Sequence, residues 1–154
     1  MTTLFALQRM FSSGLLTIGR QWRRQVDDAL SAHGLSEALA SPLVQISRLG
    51  GGVRQVALAN TLGIEGPSLV RLLDQLEKQE LVVRKDDPED RRAKGLWLTD
   101  AGQILAERIE REIDALRANV LRDIDRSDLE AALRVLKAFE QAAQPTAPKD
   151  TDKA

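Results

Sequence analysis

Residues 64–102 decide the fold and read IEGPSLVRLLDQLEKQELVVRKDDPEDRRAKGLWLTDAG. In the first part of this stretch, leucines recur at helical spacing from Leu69 to Leu76, and Pro67 suits the first turn of such a helix. Two short runs that favour strands, LVVR and GLWL, then flank a polar loop of ten residues. That arrangement is typical of a β-hairpin, so the stretch predicts a helix followed directly by two antiparallel strands.

A second short helix is predicted immediately before this stretch, at residues 54–62, with Gly63 and Ile64 as the turn between the two helices. Two helices joined by a short turn that contains glycine form a helix-turn-helix. With the hairpin added, the pattern predicts a winged helix-turn-helix. In that fold one helix enters the major groove of DNA, while the tip of the hairpin, called the wing, reaches the adjacent minor groove.

Amphipathic helices are predicted on both sides of the winged helix. Apolar residues at steps of three and four indicate helices at 13–33 and 36–49, although Pro42 is awkward inside the second. After the hairpin, Thr99 is the expected N-cap of a long helix whose apolar stripe continues to Ile124.

A last helix is predicted from residue 127, because Ser127 and Glu130 have the spacing of a capping box. This helix and the long one before it carry apolar stripes that expose more surface than a single small winged helix can cover. A second copy of the chain is the expected cover. A helical hairpin within one chain is the alternative.

The predicted fold class is mainly α (α+β), a winged helix-turn-helix with a small hairpin wing and a helical dimerisation region. A single domain is assigned to residues 1–143. Its winged helix occupies 50–99, and its dimerisation region combines 13–49 with 100–143. The remaining residues, 144–154, have no apolar pattern and are expected to be disordered.

The composition limits what the chain can be. Its 154 residues suit one compact domain, and 43% hydrophobic residues with 3% aromatic residues predict an aliphatic core of packed helices. A formal net charge of −1 means that contact with nucleic acid must come from locally placed charges. No apolar run reaches the roughly 20 residues of a membrane span, so we expect a cytoplasmic protein with no membrane partner.

An enzyme is not expected. The chain has one histidine, no tyrosine and no cysteine, and it lacks both a phosphate-binding glycine loop and a carboxylate cluster with the spacing of metal ligands. The absence of cysteine also excludes disulfides, thiolate zinc sites and redox sensing through thiols. We therefore predict no catalytic residue, no cofactor and no metal site.

The helix predicted at 65–79 carries the first candidate DNA contacts. With its leucines buried, Ser68, Arg71 and Gln75 share the opposite face, and these residue types bind phosphates and base edges. Arg71 is the expected guanine contact. The alternative for Arg71 is an ion pair with Asp74, one turn further along the helix.

The loop between the predicted strands carries the second set of candidates, Asp90, Arg91 and Arg92. An arginine on a wing tip suits the negative potential of a narrow minor groove, and Asp90 is expected to hold Arg92 extended through a charge-assisted hydrogen bond. A solvated loop whose charges pair with one another is the alternative. Arg54 and Pro67, near the starts of the two short helices, complete the predicted DNA-binding set.

The stretch at 64–102 resembles the winged helix of the MarR family of transcriptional regulators, and within that family the SlyA branch. The family's wing carries Asp-x-Arg and is followed by Leu-x-Leu-Thr, which here are Asp90-Arg91-Arg92 and Leu96-Trp97-Leu98-Thr99. The resemblance covers residues 15–142. It implies a homodimer whose first and last helices interlock, so that two recognition helices reach successive major grooves of a near-palindromic operator.

The function implied by this resemblance is sequence-specific binding of double-stranded DNA by a transcriptional regulator, either a repressor or an anti-silencer. In the family, a small aromatic acid bound between the winged helix and the dimerisation helices lowers the affinity for DNA. The alternative is a winged-helix module that binds protein and not DNA, because the fold serves both purposes.

The candidate effector site also comes from the resemblance. The SlyA branch carries Arg-x-Trp-Arg on its first helix, and this chain has Arg20-Gln21-Trp22-Arg23 there. The resemblance makes Arg20, Trp22 and Arg23 the candidate effector-binding residues, with guanidiniums for the carboxylate and an indole for the ring. In the alternative, Arg23 pairs with Asp27, and Trp22 is part of the core.

One departure from the SlyA branch concerns this same pocket. Where the branch often has an aromatic residue on the second helix, this chain has small residues around Pro42, namely Ala38, Ala40 and Ser41. The pocket is therefore expected to be reshaped or lost.

Overall fold

The computed structural model describes residues 2–87, 90 and 93–143. The helices are α1 (Leu4–Leu30), α2 (Glu37–Arg48), α3 (Gln55–Leu62), α4 (Gly66–Lys78), α5 (Asp100–Val120) and α6 (Arg126–Ala143). The strands are β1 (Val53–Arg54), β2 (Val82–Asp86) and β3 (Lys94–Leu98), and a short 3-10 turn, Ser31–His33, follows α1. This architecture confirms the predicted mainly α winged helix-turn-helix.

The sheet has three antiparallel strands in the order β1-β3-β2. The predicted hairpin is formed by β2 and β3, with Val83 opposite Trp97. The predicted helix start at Arg54 is wrong, because Val53 and Arg54 form β1 and pair with the β3 residues Leu96 and Gly95. A strand of two residues leaves almost no periodicity in the sequence, and it exists because β3 offers a free edge.

Three consecutive glycines join α2 to β1, and all three have positive φ angles, of 78° at Gly50, 84° at Gly51 and 69° at Gly52. The indole of Trp97 lies against this turn. A Cβ atom added to Gly51 would lie 2.5 Å from Cε3 of Trp97. Only glycine therefore allows the turn to approach the indole this closely, and the approach brings β1 alongside β3.

Helix α1 begins nine residues earlier than the predicted start at residue 13, so that prediction is wrong. Thr3 caps the helix, since its Oγ1 accepts a hydrogen bond of 3.2 Å from the backbone N of Ala6. Leu4 and Met10 in this extra segment are 72% and 68% exposed. Good helix formers and a cap extend α1 here without any buried stripe that would signal it.

Helix α2 follows the prediction closely, with Ser36 as its N-cap. Pro42 lies inside this helix and is buried. A proline in a helix interior removes one backbone hydrogen bond, which is why Pro42 was awkward inside the predicted helix. Leu43 and Ile46, on the same helix, are fully buried, and this packing compensates for the missing bond.

The predicted N-cap of α5 is confirmed, because Oγ1 of Thr99 accepts a hydrogen bond of 3.0 Å from the backbone N of Gly102. Helix α5 ends at Val120, so the predicted continuation to Ile124 is wrong. The predicted capping box is also wrong. Helix α6 already begins at Arg126, and Arg126 Nε bonds Glu130 Oε1 at 2.7 Å, so the glutamate is engaged one turn into the helix.

The residues up to Arg117 form one compact unit, and those from Ala118 onward form a second. The first unit holds the buried aliphatic core, which joins α1 to α5 and the sheet through Leu30, Leu43, Ile46, Leu58, Leu69, Leu73, Leu76, Leu96 and Ile109. In the second unit, no residue from 118 to 143 is buried, and α6 leaves Leu133 and Phe139 63% and 46% exposed. The predicted division into a winged helix and a dimerisation region stays a prediction.

Two further predictions concern the termini and membranes. The tail at 144–154, predicted to be disordered, lies outside the described residues. Within the described part of the chain, no helix is both long enough and apolar enough to cross a bilayer.

Candidate functional site

Helix α4 presents the first set of predicted DNA contacts. Its leucines at 69, 73 and 76 are fully buried, which fixes the rotation of the helix about its own axis. Ser68, Arg71 and Gln75 are exposed on the opposite face, and Pro67 is exposed in the first turn. The structure thus brings these four predicted residues together on one face, in the order expected of a recognition helix.

Arg71 has no hydrogen-bond or ion-pair partner among the residues that the structure describes. The alternative pairing with Asp74 does not form, because Oδ1 of Asp74 accepts a hydrogen bond of 2.9 Å from Nη2 of Arg84 in β2. The guanidinium of Arg71 therefore keeps its donors available for a bound partner. Bidentate binding of a guanine edge or a phosphate needs a guanidinium whose N–H donors are not already hydrogen-bonded.

The wing is described only in part. Arg91 and Arg92 lie outside the described residues, so the structure places neither of these predicted contacts. At the described end of the hairpin, the backbone N of Asp87 donates to the carbonyl of Ala93 at 2.9 Å, and the backbone N of Ala93 donates to the carbonyl of Asp90 at 2.9 Å. These two bonds extend the backbone hydrogen bonding of the hairpin beyond the ends of β2 and β3.

Arg54 and Asp90 come together at the wing. Nη2 of Arg54 lies 3.3 Å from Oδ2 of Asp87 and 3.8 Å from Oδ2 of Asp90. Arg54 is exposed, but it shares its charge with these two carboxylates and so binds the strand β1 to the start of the wing loop. The predicted contact between Asp90 and Arg92 involves a residue outside the described part of the chain.

The base of the wing carries a further basic group. Nζ of Lys85 lies 5.9 Å from the centre of the Trp97 ring, a distance at which a cation and an indole attract each other. Lys85 is exposed on β2. Lys85 was not predicted as a DNA contact, because a single lysine in a strand carries no distinguishing pattern.

A pocket of about 140 Å³ lies between α1, α2 and α5 in the first unit. Trp22, predicted for the effector site, is one of its walls, and the small residues Ala40 and Ser41 line it as well. The remaining lining residues are Val26, Glu37, Val44, Gln45, Arg48, Glu110, Ile113 and Arg117. The small residues Ala40 and Ser41 of α2 therefore border a pocket next to Trp22, and the predicted effector site stays a prediction.

The cationic groups of this pocket differ from the predicted ones. Arg48 and Arg117 line the pocket, whereas Arg20 and Arg23 are exposed on α1 and are not among the lining residues. The alternative pairing of Arg23 with Asp27 is wrong, because Nε of Arg23 lies 3.4 Å from Oε2 of Glu37. Asp27 instead accepts a hydrogen bond of 2.6 Å from the backbone N of Glu37.

Both lining arginines have acidic partners. Nε of Arg48 donates to Oε1 of Glu110 at 2.5 Å, which joins α2 to α5 across the pocket. Nη1 of Arg117 donates to Oδ1 of Asp114 at 2.6 Å. The two lining arginines lie on different helices, α2 and α5, and no local pattern in the sequence connects Arg48 with Glu110. A bound carboxylate at this pocket would have to compete with Glu110 for Arg48.

Comparison with known proteins places these features in context. A family model described as the MarR family matches residues 33–93. The transcriptional regulator PA3341 is 39% identical, with a TM-score of 0.75 over 85% of this chain and 98% of that one. CouR from Rhodococcus jostii RHA1, solved with p-coumaroyl-CoA bound, is 30% identical, with a TM-score of 0.77 over 88% of this chain and 92% of that one.

A third structure extends the likeness in fold. MepR from S. aureus, solved as a complex with DNA, is 22% identical, with a TM-score of 0.77 over 87% of this chain and 98% of that one. At this level of identity the match shows a shared fold. The similarity of PA3341, CouR and MepR covers both the winged helix and the flanking helices.

Proposed function

The chain belongs to the MarR family, a family of DNA-binding transcriptional regulators, and from this membership we propose that it acts as a cytoplasmic homodimer on a near-palindromic operator. The observation that carries the proposal is the exposed face of α4, where Arg71 has no partner among the described residues and stands between Ser68 and Gln75. This surface supports a function as a DNA-binding regulator and not as an enzyme.

In the proposed complex, α4 lies in the major groove. Arg71 binds the O6 and N7 atoms of a guanine, Gln75 contacts a neighbouring base, and Ser68 near the helix N-terminus binds a phosphate. Arg91 and Arg92 enter the adjacent minor groove from the wing, where the concentrated negative potential attracts guanidiniums. Occupation of the operator then excludes other proteins from the same DNA, which accounts for either repression or anti-silencing.

The proposed homodimer follows from apolar side chains that their own unit leaves uncovered. Helix α1 exposes Leu4, Phe5 and Ile18, which are 72%, 68% and 61% exposed. Helix α6 exposes an apolar stripe that includes Leu133 and Phe139. Large apolar side chains left exposed on a helix are typical of an interface, and a second copy of the chain is the proposed cover for each of these two helices.

The direct test of the function is fluorescence anisotropy with labelled duplexes from the DNA that flanks the gene for this protein. We expect binding by two chains per duplex, and an affinity that falls about a thousandfold or more between about 50 and 200 mM salt if some six phosphates are contacted. Analytical ultracentrifugation of the complex gives the stoichiometry. Binding indifferent to salt, or none, would favour the alternative, a protein-interaction module.

We further propose that the pocket beside Trp22 binds an aromatic carboxylic acid, either free or as its thioester, and that the ligand weakens DNA binding. CouR was solved with the thioester of such an acid, p-coumaroyl-CoA. Trp22 offers an aromatic wall, and Arg48 and Arg117 offer cations within the lining. Arg20 and Arg23, the cations that the SlyA resemblance implies, are exposed on α1 and are the alternative contacts for the carboxylate.

Calorimetric titration with p-coumarate and with p-coumaroyl-CoA will test the pocket. We expect Arg48→Gln to weaken ligand binding by about 10- to 150-fold, because a charge-assisted hydrogen bond contributes roughly 1.5 to 3 kcal/mol when it is lost. Arg20→Gln is the matched control, and it should leave binding unchanged if the lining arginines hold the carboxylate. The reverse pattern would restore the assignment made from the SlyA resemblance. Saturating ligand should lower operator affinity by about 5- to 150-fold.

A further inference from the structure

Arg84 in β2 joins the wing to the recognition helix. Its Nη2 donates to Oδ1 of Asp74 at 2.9 Å, and its Nη1 donates to Oε2 of Glu77. The backbone N of Arg84 also donates to Oε1 of Glu77 at 3.3 Å. The side chain is 21% exposed, so one largely buried guanidinium holds two carboxylates that lie three residues apart on α4.

One of these carboxylates is within reach of the proposed guanine contact. Asp74 follows Arg71 by three residues, and side chains three apart on a helix are neighbours that pair when their charges are opposite. Asp74 is 61% exposed, and among the described residues its carboxylate bonds to Arg84 of β2. Arg71 has no partner among the described residues while this bond is in place.

We propose that Arg84 is a positioning residue for DNA recognition, which holds the carboxylate of Asp74 away from Arg71 and so keeps the Arg71 guanidinium free to bind DNA. The proposal rests on the DNA-binding function inferred above. Arg84 lies in β2, and in this proposal it acts through Asp74 and makes no contact with the bases.

The carboxylates of α4 give the bonds to Arg84 a second role in DNA binding. Asp74 and Glu77 border the face that carries Ser68, Arg71 and Gln75, and two carboxylates at that border would repel the phosphates of a duplex. The guanidinium of Arg84 offsets part of that negative charge. Without it, Asp74 both pairs with Arg71 and adds negative potential beside the groove.

The test is a set of variants measured on one operator duplex by anisotropy. We expect Arg84→Gln to weaken binding about tenfold, the size of one lost base contact. Asp74→Asn in the wild-type background should change the affinity less than about fivefold, as for an exposed ion pair. The double variant Asp74→Asn/Arg84→Gln should recover most of the affinity. The side chain at position 74 is then uncharged and can no longer form an ion pair with Arg71.

Three results would overturn the proposal. One is a loss in Arg84→Gln that Asp74→Asn does not reverse, which would indicate that Arg84 contacts DNA itself. Another is a loss of equal size in Glu77→Gln, which would indicate that Arg84 only ties the wing to α4. The third is wild-type affinity in Arg84→Gln. A wild-type protein that binds no duplex would refute the proposed function, and the role of Arg84 with it.

Circular dichroism and thermal unfolding of each variant establish that it is folded. If Arg84→Gln does not fold, Arg84→Lys takes its place. The lysine ammonium keeps the positive charge, but it lacks the planar guanidinium that bonds both carboxylates at once. The expected result is then a smaller loss of DNA affinity, and Asp74→Asn should again reverse it. A loss in Arg84→Lys that persists in the presence of Asp74→Asn would overturn the proposal in the same way.

Discussion

Arg71→Ala should weaken operator binding by about 1 to 3 kcal/mol, which is about 5- to 150-fold, and should relax the preference for one base pair in each half-site. The reason is that a guanidinium without an internal partner can give both of its donors to a guanine edge. Anisotropy titrations against the operator, and against duplexes changed at single base pairs, will measure both effects. Removing this exposed side chain should leave the melting temperature nearly unchanged.

A matched control separates a base contact from a general loss of positive charge. Arg126→Ala removes the same charge from α6, where the side chain is 92% exposed and pairs with Glu130. We expect this control to bind the operator with nearly wild-type affinity and unchanged base preference. Equal losses in the two variants would show that Arg71 contributes charge alone, and the assignment of α4 as the recognition helix would then be wrong.

Gly102→Ala should destabilise the fold by about 1 to 3 kcal/mol, and more if the backbone cannot adjust. A Cβ atom at this position would lie 2.0 Å from the carbonyl oxygen of Leu81. That carbonyl cannot move away freely, because it accepts a hydrogen bond of 3.1 Å from the backbone N of Thr99, where α5 begins. Urea unfolding followed by circular dichroism will measure the change in the free energy of unfolding.

Gly19→Ala is the control for this prediction, because it makes the same chemical change inside α1, where a Cβ atom meets nothing within 4 Å. Alanine favours the helix over glycine, so we expect Gly19→Ala to stabilise the fold by about 0.4 to 1 kcal/mol. Opposite signs for the two variants would establish close packing at Gly102. Similar changes in both would contradict the close contact between Gly102 and the carbonyl of Leu81.

Helix α4 was predictable from the sequence because the pattern that defines it is local. The leucines at 69, 73 and 76 lie on one face of any helix that contains them, and they are all fully buried. Once that face is inside, Ser68, Arg71 and Gln75 must face outward. The same holds for Thr99, whose capping bond reaches only three residues along the chain. Periodicity and caps therefore determined the winged helix and the surface that it presents.

The partners of the charged side chains were not predictable in this way. From the sequence, the alternative partners within one helical turn were Asp74 for Arg71 and Asp27 for Arg23. In the structure, Asp74 bonds to Arg84 and Arg23 pairs with Glu37. Local spacing shows which partners a charge can reach within its own helix. It cannot show that a residue of another element comes closer.

The sequence by itself determined the fold class, helix α4 with its exposed face, and the cap that begins α5, since each depends on residues within a few turns of one another. Tertiary structure alone decided that Val53 and Arg54 pair with β3, and that Arg48 meets Glu110, 62 residues away, across the pocket. The physical reason is that helix and strand patterns arise from backbone geometry repeated over short distances. Contacts between elements depend instead on how their buried faces pack together, and that packing is a property of the whole chain.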